Sequence, residues 1–137
     1  MICRSSEVDE LGGNPWPSAV QKLVSLLETD DNDDVRRATA WSLANYDNQI
    51  VLEPLINALK NDVAAVRLWS SSSLAEIGNV SLENAQLAAE QLLISLKIDN
   101  ESGVRSNCIW SLCRLYEKLN NTFQESFVDE CTKIALF

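Results

Sequence analysis

A chain of 137 residues that is 46% hydrophobic and 23% charged is long enough to bury one substantial core and too apolar to stay disordered. Its net charge is −9, and its longest basic run is Arg36-Arg37. That argues against duplex DNA or RNA, whose phosphates demand a basic face. There is no histidine, and the four cysteines form no C-x-x-C pair, so neither a zinc site nor a disulfide framework is expected. No apolar run approaches the roughly 20 residues of a membrane span. The opening "MICRSSEVDELGG" lacks the apolar stretch of a signal peptide. A cytoplasmic protein is expected, and the sequons at Asn79, Asn100 and Asn120 read as chance.

Residues 1–17 are expected to form an N-terminal segment, with Trp16 of "NPWP" capping the first hairpin, and residues 18–137 a single repeat domain. Three apolar helices are predicted: "SAVQKLVSLLE" (Ser18–Glu28), "LEPLINALKN" (Leu52–Asn61) and "LAAEQLLISLK" (Leu87–Lys97). Their apolar residues recur three and four apart, as in Leu52, Leu55, Ile56 and Leu59. Each is followed by a helix opening on Val-Arg: Val35-Arg36, Val66-Arg67 and Val104-Arg105, at intervals of 31 and 38 residues. Eight residues after each valine stands Leu43, Leu74 or Leu112. Four before it stands Asp31, Asp62 or Asn100, each a candidate N-cap. The longer second interval, which belongs to the third repeat, is assigned to a helix stop and a longer loop at "GNVSLENAQ", Gly78 to Gln86. "FQESFVDECTKIALF" (Phe123–Phe137) reads as one further helix.

Helical hairpins of this length, repeated in tandem, define an α-solenoid. The segments "LETDDNDDVRRATAWSLANY", "LKNDVAAVRLWSSSSLAEIG" and "LKIDNESGVRSNCIWSLCRLY" resemble HEAT-like repeats of the short bacterial type, similar to those of phycobilisome lyases. The resemblance covers about Ser18 to Leu119. It implies an all-α, right-handed α-solenoid of about three HEAT-like hairpins plus a terminal helix. It also implies that the outward side of each second helix lines a concave surface, used by most members for binding.

Turning 100° per residue from each valine, positions zero, four, five, eight and eleven form the core face. They hold Val66, Ser70, Ser71, Leu74 and Ile77 in the second repeat. Serines at positions four and five are expected to bond back to the carbonyl four residues earlier. Position seven (Ser42, Ser73, Ser111) and position nine (Ala44, Ala75, Cys113) are small, as close stacking of neighbouring repeats requires. The serine run Ser70–Ser73 therefore reads as packing. Arg36, Arg67 and Arg105 are expected to form a structural ladder with Asp31, Asp62 and Asp99.

Trp41 and Trp110 at position six, and Trp69 at position three, fall on the opposite, outward side. Exposed indoles of this kind are typical binding anchors; the alternative is that they pack on one another or under the N-terminal segment and close the groove. Arg37, Asn45, Ser72, Glu76, Asn107 and Arg114 share that side as a mixed polar rim, suited to a peptide or protein segment.

No nucleophile has a histidine beside it to serve as base. Cys108 is expected in the core and Cys113 at a repeat interface. The acidic run Asp30, Asp31, Asp33, Asp34 lacks the glycine and distal glutamate of an EF-hand loop. Some HEAT-like proteins resemble iron hydroxylases with His-Glu at positions two and three. Here those slots hold Arg37-Ala38, Leu68-Trp69 and Ser106-Asn107. The branch resembling DNA glycosylases needs a basic face, which is lacking. The expectation is a non-enzymatic protein-binding module, without cofactor, nucleic acid or membrane. The alternative is a phycobilisome-lyase-like subunit or chaperone holding a bilin or its carrier protein. A monomer is expected, because the stripe Leu119, Phe123, Phe127, Cys131, Ile134 can cap the third hairpin. A dimer through that helix is the other possibility.

Overall fold

The structure is a computed structural model and describes residues 17–46 and 49–135. Expectations for Trp16 and the segment before it, and for Leu136 and Phe137, fall outside the described residues. After a 3-10 turn at Pro17–Ala19, seven α-helices follow: α1 (Val20–Thr29), α2 (Asp33–Ser42), α3 (Leu52–Asn61), α4 (Ala64–Gly78), α5 (Leu82–Ile98), α6 (Ser102–Leu115) and α7 (Asn121–Ala135). There is no strand among the described residues. Each of α1, α3 and α5 packs on the even helix after it, α2, α4 and α6 stack side by side, and α1, α3 and α5 form the second layer. The fold is an all-α solenoid of hairpins.

The core face follows from the helical period. Val35, Thr39, Ala40, Leu43 and Tyr46 are buried in the first repeat, as are Val66, Ser70, Ser71, Leu74 and Ile77 in the second. In the third, Val104, Cys108, Leu112 and Leu115 are buried and Ile109 is partly so. A leucine taken fully out of water contributes about 2 kcal/mol, and Leu43, Leu74 and Leu112 are each fully buried.

The position-seven serines do more than keep the helices close. Ser73 Oγ donates to the Ala40 carbonyl at 2.5 Å, and Ser111 Oγ to the Ser71 carbonyl at 2.7 Å. Each thus reaches position five of the preceding repeat, and one hydroxyl stitches α2 to α4, another α4 to α6. Back-bonding at positions four and five is mixed. Thr39 donates to the Val35 carbonyl and Ser71 to the Leu68 carbonyl, both at 2.6 Å. The buried Ser70 hydroxyl, against expectation, has no hydrogen-bond partner. The two serines should therefore respond oppositely to alanine. Ser111→Ala is expected to cost about 1 kcal/mol, and Ser70→Ala to be neutral or stabilising, because it removes an unsatisfied hydroxyl. Thermal melts of the two variants check this.

The stretch from Gly78 to Gln86 corrects the sequence reading. α4 does end at Gly78, but only Asn79 to Ser81 are loop. Ser81 Oγ accepts from the Asn84 N–H at 3.0 Å and caps α5. The helix after this cap has 17 residues where α3 has 10. The excess of seven equals the excess of the 38-residue interval over the 31-residue one, so the longer repeat is two extra turns of helix. Gly78 lets the helices approach closely here, since a Cβ there would lie 3.0 Å from Leu115 Cδ2 and 3.3 Å from Ala88 Cβ and would push the Leu115 side chain aside by a few tenths of an ångström.

The expected N-caps are also displaced. Asn32, Val63 and Glu101 occupy those positions, and only Asn32 caps with its side chain, accepting from the Asp34 N–H at 2.8 Å. Asp62 is instead the C-cap of α3, and Asn100 Oδ1 accepts from Arg67. At position nine Ala75 is fully buried between repeats, but Cys113 is exposed rather than interfacial. No further second helix covers α6 among the described residues.

The anticipated stripe starts at Leu119, just before α7, and continues along that helix. Leu119 and Phe127 are buried, Phe123 and Cys131 pack partly against the core, and Ile134 is exposed. The Phe127 ring meets Tyr116 at 6.3 Å, and Gln124 Nε2 donates to the Tyr116 carbonyl at 2.7 Å. α7 therefore covers the end of the third hairpin with its first turns.

Candidate partner-binding face

The face built by α2, α4 and α6 is held in register by a ladder of arginines. Its pairing is shifted by one repeat from expectation. Arg36 grips Asp62 with Nε and Nη2, each at 3.0 Å, and Arg67 grips Asp99 at 2.9 and 3.0 Å. The third donor, Nη1, turns back to its own turn. Arg36 reaches the Asp30 carbonyl at 2.7 Å, Arg67 the Asp62 carbonyl at 2.8 Å and Arg105 the Asp99 carbonyl at 2.6 Å. Asp31 is exposed and accepts none of these bonds; the aspartate equivalent to Asp62 and Asp99 is Asp30, directly after α1. Each of these aspartates also accepts the amide of the turn after it, from Asn32, Val63 or Glu101. In Asp62 and Asp99, a carboxylate at the end of a first helix thus orders its own turn and binds the preceding repeat.

Burial alone would raise the Asp99 pKa. The bonds from Arg67 and from the Glu101 amide outweigh that and hold it below the usual carboxylate range. A depressed native pKa contributes stability that is present above the unfolded value, near 4, and is lost as pH falls through the native value. The thermal midpoint is expected to fall below about pH 4, and the fall to be shallower in Asp99→Asn. Midpoints measured between about pH 7 and about pH 2.5 check this.

On the outward side of this layer Trp41 and Trp110 are 49% and 47% exposed. Trp69 is half-buried and packs against the core. It meets Trp41 edge to face, with ring centroids 6.3 Å apart and planes at 77°, a favoured aromatic geometry. Trp110 carries the Arg114 guanidinium over its ring at 5.0 Å, and Arg114 also pairs with Glu76 at 2.7 Å. That chain of Glu76, Arg114 and Trp110 joins α4 to α6. Beside it, Ser72, Gly103, Ser106, Asn107 and Trp110 line a shallow depression of about 410 Å³.

The remaining rim residues differ in availability. Asn107 Nδ2 shares its two hydrogens among three acceptors, Ser72 Oγ at 2.6 Å, Ser71 Oγ at 2.7 Å and the Leu68 carbonyl at 3.1 Å. Asn107 and Ser72 are half-buried, with their polar groups committed to the α4–α6 junction. Asn45 is exposed and donates to its own Ser42 carbonyl at 3.1 Å. Arg37 lies 3.8 Å from the exposed Asp34. Gly103 and Ser106 line the depression without having been expected there. The signal was present, since 103, 106 and 110 recur at three and four residues on one helical face.

Cys108 itself is not poised as a nucleophile. Burial pushes the Cys108 thiol up to about 12, with the Asp99 charge adding to it. No group of three or more His, Cys, Asp or Glu side chains among the described residues is arranged to hold a metal. No helix there is long and apolar enough to cross a membrane.

A family model described as HEAT repeats matches residues 20–113. The chain belongs to the HEAT-repeat family. The match is to HEAT repeats in general and does not single out the phycobilisome-lyase branch. A search of curated proteins finds no match.

Proposed function

We propose that this protein is a non-enzymatic interaction module that takes a protein or peptide segment on the outward face of α2, α4 and α6. The observation that carries this reading is a pair of tryptophans, Trp41 and Trp110, each about half exposed on one face of a HEAT-repeat solenoid. A monomer seldom leaves two such surfaces uncovered without use, and indoles are the commonest energetic anchors at interfaces. The surrounding groups serve a supporting role rather than a chemical one. Arg114, Glu76 and Asn107 fix the layer on which the indoles stand.

The test is capture with and without the indoles. Immobilised protein should retain a partner from its native lysate, and the Trp41→Ala/Trp110→Ala double variant should lose it while keeping its helical circular dichroism. Retention of the same partner by the double variant would move the binding surface elsewhere.

A further inference from the structure

We infer that the trailing side of α6 takes a helix from a partner protein, whose leading carboxylate is held by the Arg105 guanidinium. This site is separate from the tryptophan face and does not rest on it.

The chain supplies the template for such a contact twice. The arginine of one even helix forks onto an aspartate in the turn leading into the next even helix. Arg36 of α2 takes Asp62, just ahead of α4, and Arg67 of α4 takes Asp99, just ahead of α6. Arg105 of α6 is anchored as those two are. In all three, Nη1 donates to the carbonyl of the residue that ends the preceding odd helix. That leaves Nε and Nη2 as a forked edge, which matches a carboxylate in two parallel bonds.

Among the described residues no carboxylate meets that edge of Arg105. Its acidic neighbour Asp99 is already taken, by Nε and Nη2 of Arg67 and by the Glu101 amide. Nor does a neighbour of this kind replace the fork. Arg67 bonds the Asp62 carbonyl as Arg105 bonds that of Asp99, and Arg67 still takes a second aspartate. The charge that Arg105 calls for is therefore the one its two equivalents hold.

The surface beside it calls for a helix. α4 covers the trailing side of α2, and α6 covers that of α4. At position five Ala40 and Ser71 are fully buried, whereas Ile109 is only partly so. At position nine Ala75 is fully buried, whereas Cys113 is exposed. Arg105, Ile109, Cys113 and Tyr116 recur at spacings of four, four and three, forming one stripe about 16 Å long. Ile109 and Tyr116 give it apolar area that an amphipathic helix can bury. α7 meets the Tyr116 end through Phe127 and leaves Cys113 exposed. A second copy of the chain is not the occupant. It would have to bring Asp30 and Ser42 to this end, and both are buried and engaged already.

The experiment is selection on the intact protein from a display library of amphipathic helical peptides. The library is randomised over the turn ahead of the helix and over its apolar face. Selected peptides are synthesised, and affinities are measured for wild type, Arg105→Gln, Cys113→Gln and Trp41→Ala/Trp110→Ala. The expected result is enrichment of Asp or Glu in the turn ahead of the helix, at the place of Asp62 and Asp99. Affinity should fall about tenfold in Arg105→Gln. It should fall as much when the peptide carboxylate is made an amide, and the amide peptide should bind wild type and Arg105→Gln alike. The amide exchange alters no residue of the protein, so a folding defect cannot imitate it. Cys113→Gln, which sets a bulkier polar group in mid-stripe, should also weaken binding, and the tryptophan variant should bind as wild type does. Peptides selected without a carboxylate in that turn, or bound equally by wild type and Arg105→Gln, would overturn the assignment. Binding that needs Arg105 but survives Cys113→Gln would take the helix off this stripe and overturn it too. Peptides lost only in the tryptophan variant would do the same while supporting the other face, and a selection that yields no binder would count against the site.

Discussion

Arg67→Ala is expected to lower the thermal midpoint by about 10 °C while leaving affinity for a partner on the tryptophan face within about twofold. The guanidinium and its partner Asp99 have side chains only 16% and 6% exposed. Removing the arginine strands a desolvated carboxylate, and breaking a buried pair in this way costs about 3 kcal/mol or more. For a chain of this length that corresponds to about 10 °C. Arg105→Ala provides the internal comparison. It deletes a single bond to the Asp99 carbonyl, with no forked carboxylate, and should cost about 1 kcal/mol. Differential scanning calorimetry distinguishes the two. Equal midpoints for wild type and Arg67→Ala, with binding lost, would make Arg67 a contact residue rather than a tie between repeats.

Trp110→Ala is expected to show the reverse pattern. Its ring is about half exposed, and its internal partner is the Arg114 guanidinium, an interaction worth about 0.5–1 kcal/mol at an exposed site. Stability should therefore change little. Truncating an interface anchor commonly costs about 2 kcal/mol or more in binding, a loss of about thirtyfold. Trp41→Ala should behave similarly, with a somewhat larger stability loss because Trp69 gives up its edge-to-face neighbour. Titration calorimetry against the partner, with melts of the same samples, gives both quantities. A large fall in midpoint with unchanged affinity would assign the tryptophans to the core instead.

The opposed behaviour of Arg67 and Trp110 reflects how each was legible. The arginines were recognisable as structural because Val-Arg recurs in phase with a buried leucine. Their partners were not, because a carboxylate one repeat away is 26 residues distant for Arg36 and 32 for Arg67. Helical periodicity carries no information at that range. Likewise the outward direction of Trp41 and Trp110 follows from 100° per residue. The lean of Trp69 onto Trp41 depends on how α2 and α4 are set against each other.

The sequence by itself determined the repeat, the core face and the small positions seven and nine, because these are local consequences of a 3.6-residue period repeated in phase. The longer third repeat marks the limit of such local signals. A capping serine at Ser81 and buried Asn84, Ala85 and Ala88 turn an apparent loop into two extra turns, and those burials exist only once α5 is laid on α4 and α6. Only the tertiary structure decided that Ser73 and Ser111 of position seven donate across repeats, that Ser70 is left without a partner, and that Asn107 belongs to a junction rather than to an open rim. Each of these depends on the separation of two helices far apart in the chain, which sets whether a hydroxyl or amide finds a carbonyl, another side chain or nothing.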